Sequence, residues 1–477
     1  MDLRITPNTD KDCSIFGFSI IGSASVGEAP SGSQLEGRTK WTSMSMRYFI
    51  YPHRTELYVL EEQGKKRVWM ERKLGGLILI HTPFGLKFFD KVAKTKVARV
   101  YARFNVYLMP VITVAAIFLI ISSLVFLSSN SAVRAGARDL GVRANLLIPG
   151  LNPYLPWTFG WLALVVTVII HEAGHGIVAR VYNIKVESTG LLLVLGLPIG
   201  AFVNISPDEL SKSTLKQKSA ILTAGPLNNI ITAVVSLAAL YFIVSTLTPI
   251  PTNSAPQFGL NVLGVGEHSL AGSIGLSKGS IVETVAGHKV QSIGDLGKFL
   301  RSNLGNTVAI TWKDNTGHEI TRFANLPKHV EANQGILGIS ISALPDPVEA
   351  LKIYKNAFNL GSDPLSHEIL LYPPTIGAGV DLVPFSNLMA PKYHSSVLGS
   401  AFSPVANMFF WLMFVSFNVA IFNALPIGPL DGGQLYNSLM EARLGSKPEK
   451  LRNASRLVTY VMVAIVAVSI IVPYLPV

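Results

Sequence analysis

The sequence predicts a polytopic α-helical membrane protein with an inserted soluble α+β domain and a membrane-associated β-hairpin. Three observations lead there. Charged residues make up 14% of the 477 residues and hydrophobic ones 49%, whereas a soluble globular chain carries about 25% charged residues. Five apolar stretches, at 106–127, 155–181, 220–247, 405–425 and 457–475, reach the roughly 20 residues that a helix needs to cross a bilayer. Between the third and fourth, from Gly259 to about Ser342, the composition turns strand-like and turn-rich.

Residues 1–75 are expected as a polar N-terminal region, partly disordered, with 1–43 rich in Ser, Gly, Thr and Asp. The short apolar run at 15–21 follows Asp10 and Asp12 and makes a poor signal peptide. Leu77-Ile78-Leu79-Ile80-His81 reads as a short strand. It opens a basic juxtamembrane segment, 76–104, that carries Lys87, Lys91, Lys94, Lys96, Arg99 and Arg103. That run places the N-terminus in the cytoplasm by the positive-inside rule. The loops then alternate, with 131–154 and 248–404 outside and 184–217 and 441–456 inside. Arg443, Lys447, Lys450, Arg452 and Arg456 fit this, while Arg134, Arg138 and Arg143 run against it.

The first part of the membrane core, 105–247, holds three spans. Between its second and third spans, 189–203 is apolar but broken by Gly190, Gly196, Pro198 and Gly200. A re-entrant hairpin fits better than a helix, because irregular backbone at membrane depth survives only where protein or a wet cavity covers it. Residues 258–343 are expected as a separate α+β domain, with strands at 280–285 and 307–312, a turn at Asn315-Thr316-Gly317 and a helix at 294–304. Residues 344–404 read as a linker or re-entrant region, and 405–477 as the second part of the membrane core. The net charge of +11 is loop charge of a membrane protein, and no aromatic-interleaved basic patch points to nucleic acid. Cys13 is the only cysteine, which excludes an internal disulfide framework and a cysteine-based zinc site.

The chemistry concentrates in His171-Glu172-Ala173-Gly174-His175, inside the second span. Histidines four apart on a helix lie on one face, about a turn apart. They suit two ligands of a zinc ion, with Glu172 as general base. Such groups are costly in a membrane and pair, bind or act. A third protein ligand is required, with one position left for water. Of the remaining histidines, His81, His268, His288, His318, His329, His367 and His394 read as surface or packing residues. The better candidate is Asp431 in Asn423-Ala424-Leu425-Pro426-Ile427-Gly428-Pro429-Leu430-Asp431-Gly432-Gly433, where the two prolines interrupt the helix and free carbonyls to line a cavity. An N-cap aspartate after a Pro-rich turn is the alternative. In Gly225-Pro226-Leu227-Asn228-Asn229, Asn228 offers an amide at a similar depth, or the segment is a small-residue packing site.

Taken together, residues 75–475 resemble the site-2 protease family of intramembrane zinc metalloproteases, in a layout most like its archaeal members. The resemblance rests on HEAGH in one span, the apolar hairpin, Gly-Pro-Leu-Asn in the next, and Asn-x-x-Pro with Leu-Asp-Gly-Gly. It also rests on 271–282, which looks like the signature of a PDZ domain with Ser280 at the usual aspartate position. Gly428 stands where the family often has a second proline. The resemblance implies a membrane-embedded metalloendopeptidase that binds Zn2+ through His171, His175 and Asp431. Glu172 would activate the water, and Asn423 and Asn228 would orient the substrate or stabilise the oxyanion. It also implies transmembrane protein substrates, regulated intramembrane proteolysis, and an extracytoplasmic PDZ-like domain that either binds substrate C-termini or excludes bulky ectodomains. Two other classes compete. An inactive membrane scaffold working through the PDZ-like module has no physical need of Glu172 and Asp431, and a zinc transporter needs polar residues spread along a path rather than gathered at one depth.

Overall fold

The computed structural model describes residues 45–475 apart from 52–53, 63–64, 74–76, 195–196, 251–258, 267–268, 315–317, 331–334, 344–345, 360, 362–363, 375–382, 388 and 445–447. The chain begins with four strands, β1 (Ser45–Tyr51), β2 (Arg54–Glu62), β3 (Lys65–Lys73) and β4 (Leu77–Thr82). Two short helices follow, α1 (Leu86–Ala93) and α2 (Lys96–Phe104). Then come α3 (Leu108–Ser129), α4 (Ser131–Leu140) and α5 (Trp157–Val181), which carries the HEAGH. The hairpin is β5 (Val186–Val194) and β6 (Leu197–Ile205), and α6 (Pro207–Lys212) leads into α7 (Leu215–Ser245).

Beyond β7 (Leu247–Pro249), the inserted α+β unit comprises β8 (Leu260–Val265), α8 (Leu270–Ser273), β9 (Ile281–Val285), β10 (His288–Lys289), α9 (Ile293–Ser302), β11 (Thr307–Lys313), β12 (Glu319–Asn325) and β13 (Ile339–Ala343). Its sheet runs β12-β11-β9-β8-β13 with β10 against β9, around a core of Leu260, Val282, Ile310 and Trp312. The expected turn at 315–317 and His268 lie outside the described residues. The chain returns through α10 (Pro347–Asn356) and β14 (Tyr393–Ser395) to α11 (Phe402–Ala424), α12 (Asp431–Leu444) and α13 (Pro448–Ile471).

Five helical segments among the described residues are long and apolar enough to cross a membrane: Lys96–Ser129, Trp157–Val181, Leu215–Ser245, Phe402–Ala424 and Asn453–Tyr474. The second, third and fourth are 44%, 39% and 44% buried inside the protein and the outer two only 17%, so α5, α7 and α11 form the core and α3 and α13 its lipid-facing flanks. On α3, Val111, Val114 and Phe118 are each more than 60% exposed, which suits a hydrocarbon surround. Hydroxyls tie the core together. Thr167 and Ser416 Oγ atoms lie 2.8 Å apart between α5 and α11, and Thr113 of α3 donates to the Ala424 carbonyl at 2.8 Å, where α11 ends. A capping box of Thr214 and Gln217 starts α7, satisfying two of its orphan N–H groups.

Two regions depart from the sequence reading. Residues 45–73, expected within a polar and partly disordered N-terminal region, form β1–β3. They continue through β4 into the hairpin as one antiparallel sheet of order β1-β2-β3-β4-β5-β6. Alternation was hidden there because charged and apolar residues mix along the strands. Within 344–404, expected as a linker or re-entrant region, described residues pack on the core. Tyr354, Phe385, Met389 and Tyr393 are buried with Phe402 and Phe410 of α11, and β14 pairs with β7.

Candidate active site

The two HEAGH histidines face α7 because small residues let the helices approach. A Cβ on Gly174 would meet the Ala224 carbonyl oxygen and Asn228 Nδ2 at 2.7 Å. Gly225 lies directly on the imidazoles. A Cβ there would fall 2.6 Å from His171 Nε2 and closer still to His175 Nε2. Ile221, Gly225 and Asn229 recur every four residues on α7 and so share one face. Each addresses the pair: the Ile221 carbonyl lies 2.7 Å from His175 Nδ1, Gly225 leaves room at both Nε2 atoms, and Asn229 Nδ2 lies 3.0 Å from His171 Nδ1.

Asp431 arrives from far along the chain. α11 stops at Ala424, Leu425 turns extended, and α12 begins with Asp431 itself. Gly432 and Gly433 pack on the carbonyls of Ala424, Leu425 and Ile427 with no space for a Cβ, so the turn closes only with glycine. Asp431 Oδ2 then sits 3.0 Å from His171 Nε2 and 3.4 Å from His175 Nε2. A tetrahedral ion held at about 2.0–2.1 Å separates its ligands by roughly 3.3 Å, which is close to the two distances from Asp431 Oδ2 to the imidazoles. The donor set of two imidazole nitrogens and one carboxylate oxygen is that of a catalytic zinc site. Both Nδ1 atoms are anchored, which presents Nε2 inward. The Ile221 carbonyl accepts from Nδ1–H of His175, which fixes the liganding tautomer of that ring, and the Asn229 carboxamide against His171 Nδ1 holds the orientation of the other.

Glu172 lies on the adjacent side. Its ligand atom and those of His171 and His175 all fall within 4.8 Å of one another. Its carboxylate accepts the Val203 N–H of β6 at 2.9 Å, so the hairpin's outer strand touches the group assigned as general base. β5 is paired on both sides, with β4 and β6, which leaves β6 as the free edge. A narrow gap between α5 and the hairpin is lined by Val165, Val168 and Ile169 of α5 and Leu191, Gly200 and Ala201 of the hairpin.

Asn228 is occupied elsewhere. Its Oδ1 accepts from the Tyr101 hydroxyl at 2.7 Å, and its Nδ2 donates to the Ile170 carbonyl at 3.2 Å. The amide proposed to orient substrate therefore tethers α2 and α5 to α7. One residue of offset, about 100° around the helix, explains the difference: Asn229, not Asn228, shares the face of Gly225. Asn423, near the end of α11, is half-buried and makes no side-chain hydrogen bond among the described residues, and the structure does not join it to the three donors. Of the other histidines, His81 is buried with Nδ1 3.0 Å from Ser188 Oγ and packs edge-on against Phe202, as a packing residue does. The contributions of Asn229, Gly225 and the Val203 N–H go beyond the sequence reading, although the four-residue repeat on α7 was there to be read.

A zinc-type donor triad beside a carboxylate, buried among membrane-length helices, defines a membrane metallohydrolase. The model of peptidase family M50 matches residues 159–469, well over half of the chain, and the chain belongs to that family. An uncharacterized protein of Methanocaldococcus jannaschii is 27% identical over 371 residues, covering 77% of this chain and 79% of that one. A Clostridium perfringens protein named "Putative zinc metalloprotease" is 25% identical over 308 residues, covering 59% and 87%. One of the same name from Clostridium acetobutylicum is 23% identical, covering 60% and 87%.

Proposed function

We propose that this protein hydrolyses peptide bonds within transmembrane segments of membrane-anchored substrates, in regulated intramembrane proteolysis. It is a multi-pass membrane zinc metalloprotease of the site-2 protease type. The observation that carries the reading is the depth of the donor set. His171 and His175 lie ten and six residues before the end of α5 at Val181, or about 15 and 9 Å along the helix. Gly225 lies ten residues into α7, at a matching depth.

His171, His175 and Asp431 hold the zinc, which when bound supplies a Lewis acid and a water acidified to near neutral pH. Glu172 would serve as the general base for the attacking water and as the acid that returns the proton to the departing amine. The Ile221 carbonyl keeps His175 in the liganding tautomer, and Asn229 holds the orientation of the His171 ring. Asn423 is assigned to the substrate backbone or the oxyanion.

A substrate helix hides its carbonyls and must unwind to be cut. The free edge of β6 offers an extended segment main-chain partners. Val203 directs its N–H away from β5, and the two-residue period of a strand directs that of Ala201 the same way. A substrate strand entering the gap between β6 and α5 takes over the Val203 N–H and releases Glu172 for catalysis. The side chains lining that gap favour apolar substrate residues.

The basic ends of α2, α5 and α7 put the site nearer the cytoplasm and residues 258–343, read as a PDZ-like domain, outside. There the domain meets substrate C-termini. The test is cleavage of a model transmembrane substrate by the purified protein in liposomes, with the new termini mapped by mass spectrometry. The reading expects a cut inside the membrane segment that is lost on chelation and restored by zinc. Cleavage that survives complete zinc removal, or that falls only in soluble loops, overturns it.

A further inference from the structure

Arg99 and Arg103 stand one turn apart on α2, and Lys216 rises from the first turn of α7. With Tyr182, Thr214 and Gln217 they line a cavity of about 380 Å3, where α2, the end of α5 and the start of α7 meet. Like charges four residues apart on a helix repel, and nothing described relieves them. Among the described residues no acidic side chain is in ion-pair distance of Arg99, Arg103 or Lys216. Arg99 reaches only the Thr95 carbonyl, at 3.5 Å. Of the acids on adjoining elements, Asp90 pairs with Arg180 at 3.1 Å and Glu209 accepts the Lys185 N–H at 2.6 Å, while Asp208 of α6 makes no ion pair with these cations among the described residues.

The floor of the cavity adds donors. Beyond the capping box at Thr214 and Gln217, the N–H groups of Leu215 and Lys216 in the first turn of this 31-residue helix find no acceptor among the described residues. That helix end is positive. Beside the cations runs a second stripe on α2. Val97, Val100 and Phe104 are 78%, 57% and 58% exposed, each next in sequence to Lys96, Arg99 or Arg103. A cationic cavity beside an exposed apolar stripe, at the ends of three spans, matches a phosphate headgroup with its acyl chains alongside.

We propose that this cavity binds the phosphate headgroup of an anionic membrane phospholipid. The apolar stripe selects a lipid over free phosphate, and the uncompensated cations select an anionic headgroup over a zwitterionic one. A headgroup there ties α2 to α5 and α7, and α2 is the helix whose Tyr101 reaches Asn228 beside the histidines.

The test is thermal unfolding of the purified full-length protein in zwitterionic detergent, titrated with dioctanoyl phosphatidylglycerol, dioctanoyl phosphatidylcholine or inorganic phosphate. Saturable stabilisation is expected with phosphatidylglycerol alone. Lys216→Gln should weaken it about fivefold and Arg99→Gln with Arg103→Gln about 30-fold. Arg143→Gln, at the opposite end of the spans, should leave it unchanged. The changed residues are exposed, and unfolding temperatures without lipid that match wild type confirm that each variant folds. Equal stabilisation by phosphatidylcholine or by inorganic phosphate overturns the proposal, as does unchanged phosphatidylglycerol affinity in the double-arginine variant.

Discussion

Gly225→Ala tests how tightly the site is built. A methyl at this position lands 2.6 Å from His171 Nε2 and on His175 Nε2, whereas carbon contacts relax at about 3.5 Å. One or both rings must retreat by roughly 0.9 Å or more, well beyond the roughly 0.2 Å over which ligand distances in a metal site vary. Zinc affinity should fall at least about 100-fold, beyond the 10–100-fold loss typical of disturbing an outer partner. Global stability should move little, because an overpacking cost of about 1–3 kcal/mol is offset in part by about 1 kcal/mol from replacing a mid-helix glycine with alanine. Zinc content by mass spectrometry, chelator competition and unfolding temperature read the two effects separately. A Gly225→Ala protein with full zinc and wild-type cleavage refutes the reasoning.

Other variants separate the remaining roles. Asp431→Ala should abolish stoichiometric zinc binding while the protein stays folded, read by zinc content after chromatography. Retained tight zinc places the third ligand elsewhere. Asn229→Ala should lower zinc affinity by about 10–100-fold, whereas Asn228→Ala should lower unfolding temperature with a smaller effect on zinc; the reverse order in chelator competition contradicts their assignment. Ala201→Pro removes an outward N–H from β6 but no β5 bond, so cleavage should drop severalfold with zinc content intact. A proline at Leu192 in β5 should instead unsettle the sheet, seen as a lowered unfolding temperature.

The spans were legible because the bilayer demands long apolar runs, and the predicted 155–181 became Trp157–Val181. The hairpin was legible because Gly190 and Pro198 rule out a helix there, and Gly190 proves to sit against the Ile80 carbonyl and the Phe202 ring. The sheet it joins was not, since β1–β3 take their place by pairing rather than by a periodic apolar face. Within the site, HEAGH and Asp431 announce themselves by charge at membrane depth. Asn229 does not, because next to Asn228 its role depends on which side of α7 faces the histidines, and only packing decides that. The same limit applies to the phosphate cavity, whose cations come from α2 and α7, separated in sequence by α3 to α6.

The central claim is that zinc binding and proton transfer are divided between His171, His175 and Asp431 on one hand and Glu172 on the other. Measuring zinc content and transmembrane-substrate cleavage in the same liposome preparations of wild type and Glu172→Gln tests it most directly. The account predicts equal, stoichiometric zinc in both and cleavage by wild type alone. Equal cleavage by both zinc-loaded proteins would contradict it.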